Sequence, residues 1–164
     1  MLPKWHILFG AIFTTLIWFF IPSMPIIYLT SIFLASFLID FDHYANALMK
    51  NKSPSLRKAF EYHDKKREEE LKEISKGIRR KGDFHLFHTI EFHAVIGLLG
   101  LIWSGFFFIF VGMLFHSLLD VSSLLFAGVF HRREFFFFSW AKKSLNKTHN
   151  SFGQEKKSRN PQKY

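Results

Sequence analysis

Cysteine is absent from all 164 residues, which excludes a disulfide framework and any thiolate metal site. Charge is absent over two long stretches: no Asp, Glu, Lys or Arg stands between Lys4 and Asp40, or between Glu91 and Asp120. Acidic residues are scarce, 13 against 22 basic, for a net charge of +9. A charge-free apolar run of about 18 residues or more marks a helix that crosses a bilayer. These runs therefore exclude an ordinary soluble domain, although the mean hydropathy of the whole chain is only +0.09. Phenylalanine is abundant, at 23 residues in the whole chain, 12 of them within these two runs.

The pattern predicts an all-α, multi-pass membrane protein with about four transmembrane helices and a cytoplasmic amphipathic helical segment. The first span is expected over 5–21, closed by the turn Pro22-Ser23-Met24-Pro25, because proline lacks an amide donor and disfavours helix just before it. The second is expected over 26–42. The apolar run over 86–130 is too long for one crossing at 1.5 Å per residue. A break at Trp103-Ser104-Gly105 divides it into spans over 86–103 and 106–127. Between the second and third spans, residues 43–84 are polar and helix-prone, with Ser53-Pro54 as a start signal and Leu56, Phe60, His63, Leu71 and Ile74 at three- and four-residue steps. Residues 1–130 form the expected membrane domain. Residues 131–164 read as an interfacial aromatic segment followed by a basic, disordered tail.

Basic residues flank the apolar segments, which suits a membrane surface and membrane lipids as partners better than nucleic acid. Four spans place both termini and the 43–84 segment on one side. That side holds the basic residues, so it is expected to be cytoplasmic, in the cell (inner) membrane.

The ionisable residues of the spans converge on the same half. His6 opens the first span; Asp40, Asp42 and His43 close the second; His85, His88, Glu91 and His93 open the third. His116 and Asp120 lie four apart, on one face of the fourth as it returns. Ionisable groups in a bilayer are costly and usually face a partner or a cavity. Imidazole and carboxylate suit zinc, iron or manganese, and there are enough here for one or two ions. Asp42 points away from Asp40 unless the helix has ended there. His88 and His93 reach one centre only if His88 sits on a cap or loop.

These residues carry a resemblance to the membrane-bound metal-dependent hydrolase family, a group of inner-membrane hydrolases. His6 with Gly10 resembles the family's His-x3-Gly of the first helix. Ile39-Asp40-Phe41-Asp42-His43 resembles its P-D-x-D-H, with Ile39 in place of proline. His88 and His93 keep the spacing of its H-R-G-x-T-H without the Arg and Gly. Gly112, His116 and Asp120 match its G-x3-H-x3-D. The likeness spans roughly residues 5–127. It implies a four-helix membrane fold and a metal-dependent hydrolase with His6, Asp40, His43, His88, His93, His116 and Asp120 as ligands. Asp42 or Glu91 would be the general base. The cofactor is expected to be one or two divalent ions, zinc first, then manganese, iron or magnesium. A small or lipid-derived substrate is expected, a phosphoester at the cytoplasmic leaflet being the best match to the basic surface. The alternatives are a non-catalytic metal-binding or sensing protein and a structural assembly factor.

Overall fold

A computed structural model describes residues 3–146, and among them every regular element is helical. The helices are α1 (Pro3–Phe20), α2 (Ile26–Leu38), α3 (Phe41–Asn51), α4 (Leu56–Ser75), α5 (Ile90–Leu99) and α6 (Ser104–Phe126). A last helix, α7, covers 137–146. Of the tail expected to be disordered, about the last 24 residues, 141–146 belong to α7 and the rest lies outside the described residues.

Three helical stretches are long and apolar enough to cross a membrane: Pro3–Phe20, Ser104–Phe126 and Ile26–Asn51, the last made of α2 and α3 in succession. The third expected span, over 86–103, holds a 3-10 turn, Leu86–His88, and only the ten α-helical residues of α5, about 15 Å at 1.5 Å per residue, against a hydrocarbon core of about 30 Å. Large apolar side chains point outward along the bundle, with Phe126 93%, Leu101 84% and Phe20 75% exposed. Contiguous exposure of this kind suits a lipid-facing surface and would be a liability in water.

Two glycines fix how the bundle closes. α1 and α6 both pack on α2. A Cβ on Gly112 would run into the Ile32 carbonyl oxygen and lie 2.8 Å from Ala35 Cβ, and one on Gly10 would overlap Ser36 Oγ. Small residues at these crossings let the backbones touch, the usual device where no hydrophobic force draws membrane helices together.

The second apolar segment is one helix in the sequence reading but breaks at Ile39 and Asp40. The Asp40 amide bonds the Phe37 carbonyl at 3.2 Å instead of continuing the i→i−4 ladder. This releases the Ser36 carbonyl and reorients the chain into α3. The amphipathic segment is a hairpin of α3 and α4, turned at Lys52, which has a left-handed φ of 50°. Its second helix starts at Leu56, two residues beyond the expected Ser53-Pro54 signal.

The residues after α6 fold back on the bundle. Gly82 N–H donates to Arg132 O at 2.7 Å, Lys81 Nζ to Arg133 O at 2.6 Å and Ile90 N–H to Phe135 O at 2.9 Å. Both Glu91 oxygens accept the first amides of α7, from Phe137 at 2.9 Å and Phe138 at 3.3 Å. Those amides have no partner within their own helix, and an acid is well placed at a helix N-terminus. Glu91 is therefore a helix cap, and its carboxylate is occupied in a different task from the expected general base.

Candidate metal centre

Each ligand-type side chain is placed by one of the features just described. His6 lies one turn from Gly10, and His116 one turn from Gly112, so the two close crossings bring both imidazoles to the end of α2. Their rings stack with centroids 3.9 Å apart, and both residues are fully buried. Asp40 sits at the α2–α3 break. Asp120 lies one turn beyond His116, and His88 ends a single 3-10 turn, Leu86–His88, that precedes α5. His88 thus occupies the cap position its spacing required.

Four atoms converge there. His88 Nε2 lies 3.1 Å from His116 Nε2. Asp40 Oδ1 lies 3.5 Å from each of these nitrogens. Asp120 Oδ2 lies 3.7 Å from the first and 3.5 Å from the second. A regular tetrahedron of zinc–nitrogen and zinc–oxygen bonds has edges of about 3.3–3.6 Å. Three of the five separations fall within that range, with 3.1 and 3.7 Å just outside it, and the same four residues form a group that could hold an ion.

The protons make the case sharper. His116 Nδ1 lies 2.9 Å from the Ser36 carbonyl, an oxygen that can only accept, so Nδ1 carries the hydrogen. His88 Nδ1 donates in the same way to Asp42 Oδ2 at 3.1 Å. A neutral imidazole holds one proton, so both Nε2 atoms present bare lone pairs to each other. Two lone pairs at 3.1 Å need a cation between them, either a proton or a metal ion. The two carboxylates completing the tetrad would stabilise either cation. Carboxylate–histidine and carbonyl–histidine contacts of this type commonly orient metal ligands.

Asp42 is used differently from the expectation. Its Oδ2 also accepts the Phe87 amide at 3.0 Å, and its Oδ1 lies 3.6 Å from His85 Nδ1. The helix break lets Asp40 and Asp42 grip His88 from opposite ring edges, which makes Asp42 an orienting residue. Replacing it by asparagine is expected to lower metal affinity about 10–100-fold with the fold retained. Titration against a competing chelator reads this directly; unchanged affinity would remove Asp42 from the site.

The other expected ligands stand around the tetrad. His6 Nε2 meets the opposite oxygens of the same acids, Asp120 Oδ1 at 3.2 Å and Asp40 Oδ2 at 4.0 Å. His43 Nε2 lies 3.5 Å from Asp40 Oδ1, with its ring 3.7 Å from that of His85. Burial pushes the His85 imidazole below its ordinary pKa, so it stands neutral beside the centre. His93 is not brought into the tetrad. Its Nδ1 is 2.9 Å from the Thr89 carbonyl and its Nε2 2.9 Å from Ser117 Oγ.

Arg133 is the residue the sequence reading missed. Its Nη1 donates to Asp120 Oδ2 at 2.7 Å, although it belongs to the segment expected to lie apart at the interface. Nothing in the local pattern separates it from Arg132 or the nearby lysines.

Three cavities meet at the centre. One of about 650 Å³, between the start of α1, α3 and α4, has Asp40 and His43 in its wall beside Phe41, Leu56 and Phe60. An apolar slot of about 420 Å³ between α5 and α6 ends at His88, Ser117 and Arg133. A third, of about 270 Å³, has several charged side chains in its wall and adjoins His43, His85 and Arg133. Compared with protein-family models, curated proteins and solved structures, the chain matches none.

Proposed function

We propose that this chain is a membrane-embedded, metal-dependent hydrolase working from its basic, cytoplasmic face. The observation that carries the reading is the His88–His116 pair, whose two Nε2 atoms face each other while both Nδ1 protons are committed elsewhere. His88, His116, Asp40 and Asp120 would hold one divalent ion, and zinc suits two imidazoles and two carboxylates at tetrahedral spacing. Such an ion supplies Lewis acidity and a nucleophile at neutral pH.

The chain's own residues divide the remaining work. Asp42 and the Ser36 carbonyl fix the two imidazole tautomers. His43, with 35% of its side chain exposed and Asp40 within 3.5 Å, exchanges a proton between the centre and the large cavity. Arg133 donates to Asp120 and presents the nearest positive charge to an anionic substrate. The four-span topology follows if the 3-10 turn, α5 and the turn after it complete a crossing, with the uncharged turns at Pro22–Pro25 and Trp103–Ser104 on the far side.

A non-catalytic metal site is the second reading. It is favoured by the tetrad itself, since four protein ligands close a tetrahedral ion as structural sites do. Activity separates the two. Protein purified in detergent is expected to contain about one metal ion per chain and to hydrolyse p-nitrophenyl phosphate or acetate. Chelation should abolish turnover and added zinc should restore it. Stoichiometric metal without turnover on either substrate selects the non-catalytic reading. Absence of metal ends both.

A further inference from the structure

The smallest of the three cavities beside the centre has a distinctive set of charged residues in its wall. Lys66, Arg67, Arg132 and Arg133 line it, with Glu70 and Asp83 as the acids. Four cations face two carboxylates. Asp83 is ion-paired with Lys66, and Glu70 lies 3.8 Å from Arg132 Nη2. Neither acid therefore stands as an unpaired negative charge in the wall.

Arg132 is the unusual member. It is only 6% exposed, and its Nη2 donates to Glu73 at 2.8 Å. That contact holds the Glu73 carboxyl below its usual pKa range. Arg132 Nε and Nη1 are buried and have no hydrogen-bond partner among the described residues. They carry three N–H groups between them. Leaving buried charged donors unpaired costs far more than a surface ion pair returns. A guanidinium so placed is arranged for an anion with several acceptor oxygens. Glu73 and Asp120 also pair with Arg132 and Arg133, so it is the unpartnered N–H groups of Arg132, not a surplus of charge, that suit the acceptor oxygens of a phosphate monoester, which carries about −1.5 to −2 near neutral pH.

We infer that this cavity binds the phosphate group of an anionic phosphate ester, with Arg132 and Arg67 as its main contacts. Arg133 links it to the metal tetrad, so the phosphate would lie between the basic wall and Asp120. As an anion site it stands alone; as the substrate's site it rests on the hydrolase reading. The phosphate has two sources, a lipid headgroup or a soluble ester, and the two share this chemistry.

The test uses the full chain in detergent, first stripped with chelator and then reloaded with zinc. Inorganic phosphate is titrated by calorimetry into wild type, Arg67→Gln and Arg132→Gln. Arg67 is on the exposed face of α4, so its variant remains informative if Arg132→Gln does not fold. Saturable phosphate binding weakened about tenfold or more in a folded variant, with zinc content unchanged, supports the proposal. Binding that both substitutions leave intact, or no binding above a detergent blank, overturns it. Phosphate binding by protein that never takes up zinc keeps the anion site and removes the hydrolase reading. Zinc uptake without phosphate binding does the reverse. Competition by short-chain phosphatidate and by glycerol phosphate then names the source: stronger displacement by the first assigns the lipid, equal displacement the soluble ester.

Discussion

His116→Ala is expected to empty the metal centre, while His93→Ala leaves it loaded. Both histidines sit in apolar helices at motif spacing, and the resemblance implies both as ligands. Their geometry separates them. His116 contributes one corner of the tetrad and faces His88 Nε2 at 3.1 Å, whereas both His93 nitrogens are engaged by Thr89 and Ser117. The loss for His116→Ala should exceed the roughly 10–100-fold in affinity that removing an orienting partner costs. A thermodynamic companion follows. An ion that binds only the folded protein adds about 4 kcal/mol of stability when its free concentration is about 1,000 times Kd. Chelator should therefore lower the melting temperature of wild type and of His93→Ala and leave that of His116→Ala unmoved. Elemental analysis and thermal unfolding in detergent give both answers. Full metal content in His116→Ala would sink the centre as described.

The second large effect comes from a residue that touches no polar atom of the site. Gly112→Val is expected to cost about as much metal as removing a ligand. Any Cβ at this position meets the Ile32 carbonyl oxygen and approaches Ala35 Cβ to 2.8 Å, so α6 has to move off α2. Overpacking of this kind costs about 1–3 kcal/mol. The larger consequence is geometric, because His116 and Asp120 ride on α6 one and two turns further on, while Asp40 stays with α2. A shift of an ångström opens several of the 3.5 Å separations at once. Gly97→Ala is the control. Its new Cβ would lie 3.4–3.5 Å from the Phe110 ring, an ordinary contact. It should leave metal content unchanged and gain up to about 1 kcal/mol of helix propensity. Equal metal content in the two variants would show that the crossing does not position the ligands.

Asp40, His88, His116 and Asp120 were legible because each is a rare polar residue on an otherwise charge-free background, at spacings that share a face. Their common half of the bundle could be reasoned from topology alone. The break at Ile39 and Asp40 was not legible, since neither glycine nor proline marks it. It is visible only once the Ser36 carbonyl is seen to serve His116. The short α5 was hidden for a related reason: hydropathy registers absence of charge, and the non-helical turn at Leu101–Trp103 is as apolar as the helix before it. His93 matched a spacing while its nitrogens had local partners, which no pattern reports. The roles of Glu91 and Arg133 depend on contacts made across the fold, 46 positions away for the Phe137 amide.

The strap after α6 has a consequence for how the protein is made. Arg133 reaches Asp120 from a segment, residues 130–137, that is bonded to Gly82, Lys81, Ile90 and Glu91. These are among the last described residues to leave the ribosome, after every long apolar helix. Until then the polar wall of the centre lacks its final side. A chain cut short at residue 130 would lack the Arg133 contact to Asp120 and so leave that side of the tetrad unfinished.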